Sequence, residues 1–358
     1  MTSNTPDDVD TIVDALRNKF VSMPRDAQLR DAFELFNSHN RKIHEIDRPL
    51  QNREAKLLVV TGRSGAGKTT SLTRLLSNHP DFPDYAEQHS IRKDSDSPNQ
   101  YALWPLLTVT APSPCVLVEL ARTVLTPLGY PLARSTQGAA AWAHTRAHLR
   151  MKGTRILHID EMQHATETKN VTQMREIANT IKRLLVDPQW PVSVMISGIE
   201  DLNDFLNFDF QLAGRVLQTI RFESISPIDD AREIAAIASD LCSRTRLSLV
   251  APDQDQQFWS RLIHAANCQF GKSVEFFIDT IEHVLKRNSL NGDHRMMMED
   301  FATVYVRKRA CRPAANPFIA PDWSLIDTSK ILQKAPSRPD DDPSPTSPAK
   351  RPRRSKRK

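Results

Sequence analysis

Hydrophobic and polar positions along the chain switch between two periods. In IVDALRNKF (12–20) and, after Pro24, in LRDAFELFNSHNRKIHEI (29–46), apolar residues recur every three or four positions, which predicts an N-terminal helical extension. KLLVVT (56–61) is a compact apolar run closed by glycine, and KTTSLTRLL (68–76) returns to helix spacing, giving strand, loop, helix. HPDFPDYAEQHSIRKDSDSPNQ (79–100) is polar and marked by prolines, and reads as an exposed excursion.

The alternation then resumes. YALWPLLTVTA (101–111) predicts a second strand, and CVLVELARTVLTPLG (115–129) a helix with Ser113 and Pro114 at its N-cap and first position. AAWAHTRAHLRMKG (140–153) is a helix with a glycine stop, and TRILHIDEMQH (154–164) a third strand that runs into two carboxylates. REIANTIKRLLVDP (175–188) is helical, and VSVMISGIE (192–200) and TIRFESIS (219–226) are the fourth and fifth strands. Strands and helices in this order predict an α/β fold with a parallel sheet covered on both faces. After Pro227 the strand pattern stops. DDAREIAAIASDLCSRT, DQQFWSRLIHAANCQ, SVEFFIDTIEHVLKRN and MEDFATVYVRKR predict a small all-helical region. The expected divisions are a helical extension (1–50), a nucleotide-binding α/β domain (51–226), a helical lid (227–310) and a proline-rich C-terminal segment with a basic tail (311–358).

Composition sharpens this layout. Hydrophobic residues make up 39% and charged residues 25%, as in a globular protein, and no apolar run approaches the ~18 residues of a membrane span. The polar, acidic start MTSNTPDDVD lacks the pattern of a signal peptide, so the expectation is a cytoplasmic protein with no membrane partner. Four widely separated cysteines form neither a zinc-ligand pattern nor a disulfide framework. The formal net charge is +5, yet KRPRRSKRK (350–358) carries seven cations, which leaves the rest near −2. DNA binding would therefore need a local patch, with the tail as a separate electrostatic arm. Nine of the 24 prolines follow Cys311, and the last ~25 residues read as disordered.

The candidate chemistry begins at GRSGAGKT, which matches GxxxxGK[ST] between a strand and a helix. Gly62, Arg63, Ser64, Gly65, Ala66 and Gly67 would wrap backbone N–H groups around phosphates at a helix N-terminus, with Thr70 on the same helix turn. Lys68 would reach the β- and γ-phosphates of ATP, and Thr69 would coordinate Mg²⁺. Asp160 and Glu161 end an apolar strand, at the edge where parallel sheets bind ligands. Asp160 fits a Mg²⁺-associated carboxylate and Glu161 the residue that orients and polarises the attacking water, the plainer reading being an acid pair at a helix start. Ser197, at the end of VSVMIS, is either a polar sensor of the γ-phosphate or lytic water, or a turn residue.

The order GRSGAGKTT (Walker A), ILHIDE (Walker B), VMISG (sensor strand) and helical lid resembles the AAA+ ATPases. Within them the chain resembles the TniB and TnsC regulators of transposons and, more distantly, MuB-type proteins. FVSMPRDAQLRDAFELFNSH before the phosphate loop, HIDEMQHA, and ANPFIAPDW after the lid carry that likeness. The resemblance implies an ATPase, of slow, switch-like character given a departure in the lid, that assembles with copies of itself into a ring or helical filament on double-stranded DNA. It also implies a TniA/TnsB-like transposase and a TniQ-like target-selection protein as partners.

It further implies an arginine finger acting in trans, placed at Arg215 on the helix before the fifth strand, with Arg221 as the other candidate and a surface ion pair as the plain alternative. The lid departs from the family. Val274 stands where a sensor-2 arginine is expected, so either Lys272 substitutes or the contact is missing. Arg134 and Thr136, in RSTQGAAAW, either face DNA or belong to an ordinary exposed loop. The basic tail would bind DNA or dock on a transposase. Two other classes fit the same motifs: a nucleotide-switched signalling or defence ATPase, and a replication initiator or helicase loader.

Overall fold

The computed structural model describes residues 6–45, 54–90, 102–167, 170–250, 256–291 and 294–330. The basic tail and most of the polar stretch after Ser90 lie outside the described residues.

The sheet has five parallel strands in the order β2-β3-β4-β1-β5: β1 (Leu57–Gly62), β2 (Leu106–Thr110), β3 (Ile156–Asp160), β4 (Ser193–Gly198) and β5 (Val216–Phe222). Residues of β1, β3 and β4 are buried throughout, as expected for strands with helices on both faces. On one face α5 (Leu117–Leu125), α6 (Gly138–Met151), α8 (Val171–Leu185) and α9 (Leu202–Phe208) close a core around Leu157, Ile159, Val194 and Phe205. On the other, α2 (Pro24–Ile43) and α3 (Lys68–Ser77) bury Phe33, Phe36 and Leu72 against Leu58, Val60 and Ile220.

Local chemistry sets the helix ends. Pro24 opens α2, and Asp26 accepts the Met23 N–H at 2.6 Å. After the single turn α7 (His164–Glu167), Asn170 caps α8 by accepting from the N–H groups of Thr172 and Gln173. α5 starts at Leu117 rather than beside Ser113, because the Ser113 hydroxyl donates to Glu167 at 3.1 Å instead of capping the helix. The proline-marked excursion is partly core. Phe82 and Tyr85 are buried, and Tyr85 begins α4 (Tyr85–Ser90).

The lid contains α11 (Ala231–Thr245), α12 (Gln256–Ala265), α13 (Phe270–Asn291) and α14 (Met298–Arg309) around Phe258, Phe277 and Phe301. It is not all-helical, since β6 (Ser248–Leu249) and β7 (Arg295–Met296) pair in parallel. Two-residue strands have no periodicity to read in sequence. The N-terminal helices serve two bodies. α1 (Pro6–Arg17) packs on α13, with Arg17 reaching Asp279 and Glu282, while α2 packs on β5. ANPFIAPDW is also pinned to the lid. Phe318 joins its core, and Arg261 donates to the carbonyls of Pro317 and Ala320. No helix among the described residues is long and apolar enough to cross a membrane.

Candidate nucleotide site

The loop between β1 and α3 lies at the carboxyl end of the sheet. Gly67 caps α3 at φ 98°, a backbone state that costs a side-chain-bearing residue dearly and lets the first N–H groups of the helix face inward. Lys68 is buried, and its ammonium donates to the carbonyls of Gly62 (2.7 Å) and Arg63 (3.2 Å). Burial lowers its pKa, opposed by Glu161 and Asp160. Arg63 and Ser64 are exposed at the loop tip, Ala66 is buried beneath it, and Thr69 and Thr70 lie on the outer side of α3.

Asp160 meets the loop from β3. Its Oδ2 accepts from the Thr69 hydroxyl at 3.2 Å, and its Oδ1 accepts from Ser197 (2.5 Å) and from the Glu161 N–H (3.0 Å). Glu161 sits at φ 57°, a left-handed state that costs a non-glycine residue on the order of 1–3 kcal/mol and turns its carboxylate out of the strand. That carboxylate accepts from the Gln163 amide, whose oxygen in turn accepts the Ile199 N–H at 3.2 Å. Ser197 differs from its sequence reading. Fully buried, it gives its one proton to Asp160 and has none to offer a phosphate or water. Its oxygen faces Nε2 of His158 at 2.8 Å. Burial pushes the His158 pKa down to about 4, against the opposing pull of Asp160, so the ring is neutral at physiological pH.

The lid presses on the loop. The Lys272 methylenes lie where a Cβ on Gly65 would stand, 2.6 Å from its Cε, so the chain's cation at this helix start lies over the phosphate loop. Val274 lines the neighbouring cavity of about 380 Å³ together with Phe20, Arg25, Gly67, Thr70 and Phe270. Arg25 stacks between the rings of Phe222 (5.0 Å) and Phe270 (4.7 Å). Among the described residues no carboxylate forms an ion pair with it, and its Nε has no hydrogen-bond partner. Burial lowers its pKa. The fields of Asp26, Glu233 and Asp230 oppose that shift without forming an ion pair, so a half-buried cation beside an anion-binding loop stays available to an anion.

Other candidates stand apart. Arg215 is not on a helix but in the turn after α10 (Phe210–Ala213), at the base of β5, where it pairs with Glu54 at 3.1 Å. β5 runs beside β1 from Val216 opposite Leu57 to Phe222 opposite Gly62, so Arg215 lies roughly 20 Å of strand from the loop. Arg221 is exposed on that edge strand, level with Thr61. Arg134 and Thr136 occupy a turn ahead of α6, on the β2 flank of the sheet, away from the loop. Sequence reasoning missed Arg25, His158 and Gln163. His158 carried a signal, a lone polar residue inside an otherwise apolar run, whereas Arg25 and Gln163 looked like ordinary helix and turn residues.

The fold has counterparts among known proteins. The chain is similar in fold to Cdc6p from Pyrobaculum aerophilum (16% identity, TM-score 0.51, covering 81% of this chain and 70% of that one). It is similar also to the Aeropyrum pernix ORC1 protein, solved in complex with DNA (13%, 0.51, 87% and 72%), and to the ADP form of Aeropyrum pernix ORC2 (11%, 0.50, 84% and 75%). At these identities the likeness establishes the AAA+ P-loop fold. No curated protein matches the sequence. The profile of the family described as Bacterial TniB protein matches residues 19–224, from the N-terminal helical lead-in through the sheet to the end of β5. The chain therefore belongs to the TniB family and is an ATP-binding AAA+ ATPase.

Proposed function

We propose that this chain is an ATP-dependent, largely sequence-independent binder of double-stranded DNA that assembles on a transposition target and there recruits and activates a separate transposase. The observation that carries the proposal is the division of the hydrolytic machinery. Phosphate loop, acid pair, Lys272 of the lid and Arg25 of α2 converge, but Arg215 lies at the opposite end of β5 in an ion pair with Glu54, a position from which a finger would reach only a nucleotide held by another copy. A site completed in trans makes hydrolysis depend on head-to-tail assembly, and such heterologous contacts build rings or filaments. TniB membership supports the transposon setting, with a TniQ-like selector as a further partner. The ORC1 relative bound to DNA supports duplex binding, for which Arg134 and Thr136 are the candidate contacts, held by backbone charge and therefore salt-sensitive.

Within one subunit, Lys68 would leave its two carbonyl partners for the β- and γ-phosphates, while Lys272 and Arg25 supply positive charge from the lid side. The residues present fit Mg²⁺. The Thr69 hydroxyl and Asp160 carboxylate are oxygen donors of the kind a hard cation takes, and they face each other at 3.2 Å. When bound, the ion would neutralise charge on the phosphates. Glu161 would hold and polarise the attacking water, and the Arg215 guanidinium of a neighbouring copy would balance charge developing on the γ-phosphate.

The test is electron microscopy of the full chain with linear duplex DNA and a non-hydrolysable ATP analogue. DNA-dependent rings or filaments are expected at low salt, and their absence would refute the proposal. In parallel, Glu161→Gln should bind ATP with unchanged affinity and lose turnover; retained turnover would remove Glu161 from its role.

A further inference from the structure

His158 lies inside β3, opposite Thr108 of β2 in the parallel register, and two residues before Asp160. The position is fully enclosed, so an imidazole there is costly unless both nitrogens are paired, and both are. Nε2 is 2.8 Å from the Ser197 hydroxyl and Nδ1 is 3.2 Å from the Thr108 hydroxyl. A flipped ring would set carbons against both oxygens.

Counting protons fixes the direction of every bond. A carboxylate accepts only, so at 2.5 Å the Ser197 hydroxyl donates to Asp160. Having spent its one proton, the Ser197 oxygen must accept, and Nε2 of His158 therefore carries the hydrogen. In the neutral ring Nδ1 is then a lone pair, so the Thr108 hydroxyl donates to it, and the Tyr85 hydroxyl, 2.9 Å away, donates to Thr108. His89 obeys the same logic. Its Nε2 accepts the Thr108 N–H at 3.2 Å, leaving Nδ1–H to donate to the Tyr85 carbonyl at 2.7 Å. The result is a buried hydrogen-bond chain with one polarity, from Tyr85 on α4 across β2, β3 and β4 to the carboxylate that faces Thr69.

We propose that His158 is a positioning residue for ATP hydrolysis: held as the Nε2–H tautomer by Thr108, it keeps the Ser197 proton on Asp160 and so fixes the carboxylate toward Thr69. Enclosed in the sheet with both nitrogens paired, it would act only through Ser197 and Asp160. Without it the Ser197 hydroxyl can rotate away, leaving Oδ1 of Asp160 with the Glu161 N–H alone. The inference rests on the ATPase reading of the site and adds the residue that orients its metal-side carboxylate.

Two measurements test it on the full chain. The first is ¹⁵N NMR of histidine-labelled protein at pH 7, which should show His158 with a protonated Nε2 and an unprotonated Nδ1; the opposite tautomer would overturn the proposal. The second is steady-state ATPase kinetics with Mg²⁺ titration. His158→Leu should lower kcat and raise the half-saturating Mg²⁺ concentration by about 10- to 100-fold, with binding of a fluorescent ATP analogue little changed. His158→Gln, whose amide can donate to Ser197 and accept from Thr108, should recover most of the loss. Leu and Gln variants that are equally defective, or a Leu variant within twofold of wild type, would overturn it. If His158→Leu does not fold, Ser197→Ala carries the test, and an unmoved Mg²⁺ midpoint there overturns the proposal equally. A wild-type chain without ATPase activity would defeat the underlying reading, whereas an active wild type with an indifferent His158 would defeat this inference alone.

Discussion

Gly271, the second residue of α13, lies where the lid meets the phosphate loop, and Gly271→Ala isolates that contact. A Cβ built there stands 2.7 Å from the Gly65 carbonyl oxygen and 3.7 Å from the Gly67 nitrogen. Ordinary van der Waals contact begins at 3.4 Å and real Cβ atoms almost never come within 3.0 Å, so α13 and the loop must separate by about 0.3–0.7 Å. The obstacle is backbone on both sides, so no side-chain rotation relieves it. Intrinsic helix preference works in the opposite direction, because alanine in a helix is favoured over glycine by about 0.8–1.0 kcal/mol. Overpacking of about 1–3 kcal/mol sets the net change in stability between about zero and −2 kcal/mol. The functional effect should be much larger. Gly65 is in the loop that wraps the phosphates, Lys272 follows Gly271 directly, and a displacement approaching 1 Å at a reacting centre costs up to about 100-fold in rate. The assay pairs thermal unfolding with ATP-analogue binding and steady-state turnover. Tm within a few degrees of wild type, with nucleotide affinity and kcat both reduced at least tenfold, is expected. Wild-type affinity and turnover in a folded Gly271→Ala protein would refute the claim that the lid is seated on the loop at this point.

Three further substitutions address other parts of the site. Arg25→Met keeps an apolar stem between Phe222 and Phe270 but removes the half-buried charge, so isothermal titration should show ATP binding weakened by about 1.5–3 kcal/mol with stability little changed; unchanged affinity would deny Arg25 contact with the nucleotide. Arg215→Ala loses a partly exposed ion pair with Glu54, worth under about 1 kcal/mol, and an exposed hydrogen bond to the Gln211 carbonyl, yet should abolish turnover of the DNA-bound assembly. Mixing it with Glu161→Gln should restore part of that turnover through hybrid interfaces, and mixtures as inactive as their components would argue against a finger in trans. Gly198→Ala places a Cβ 2.3 Å from the Gln163 amide oxygen, displacing the group that holds the Glu161 carboxylate; kcat should fall about tenfold with ATP affinity preserved, and an unaltered kcat would mean that Gln163 does not orient Glu161.

Much of the site was legible because its signals are local. GRSGAGKT needs only a strand before it and a helix after it, and the structure supplies β1 and α3 in those places. Asp160 and Glu161 were readable as the end of an apolar strand. The five-strand alternation was readable because strands buried on both faces are written as nearly continuous apolar runs. Short or distant features were not legible. The β6–β7 pair is too brief for a period, and Tyr85 and Phe82 are core residues within a stretch whose prolines and charges spell a loop.

Sequence alone, then, determined a nucleotide-binding α/β chain with a lid, because hydrophobic period and loop chemistry act over neighbouring residues. Only the tertiary structure decided what each polar group does with its protons and charge. Ser197 read as either a sensor or a turn residue until Asp160 and His158, brought to it from another strand, engaged its proton and its oxygen. Arg25 read as one helix residue among many until Phe222 and Phe270, some 200 and 245 positions away, closed over it beside Gly67. Burial and hydrogen-bond direction depend on which segments meet across the fold, and spacing along the chain does not encode that meeting.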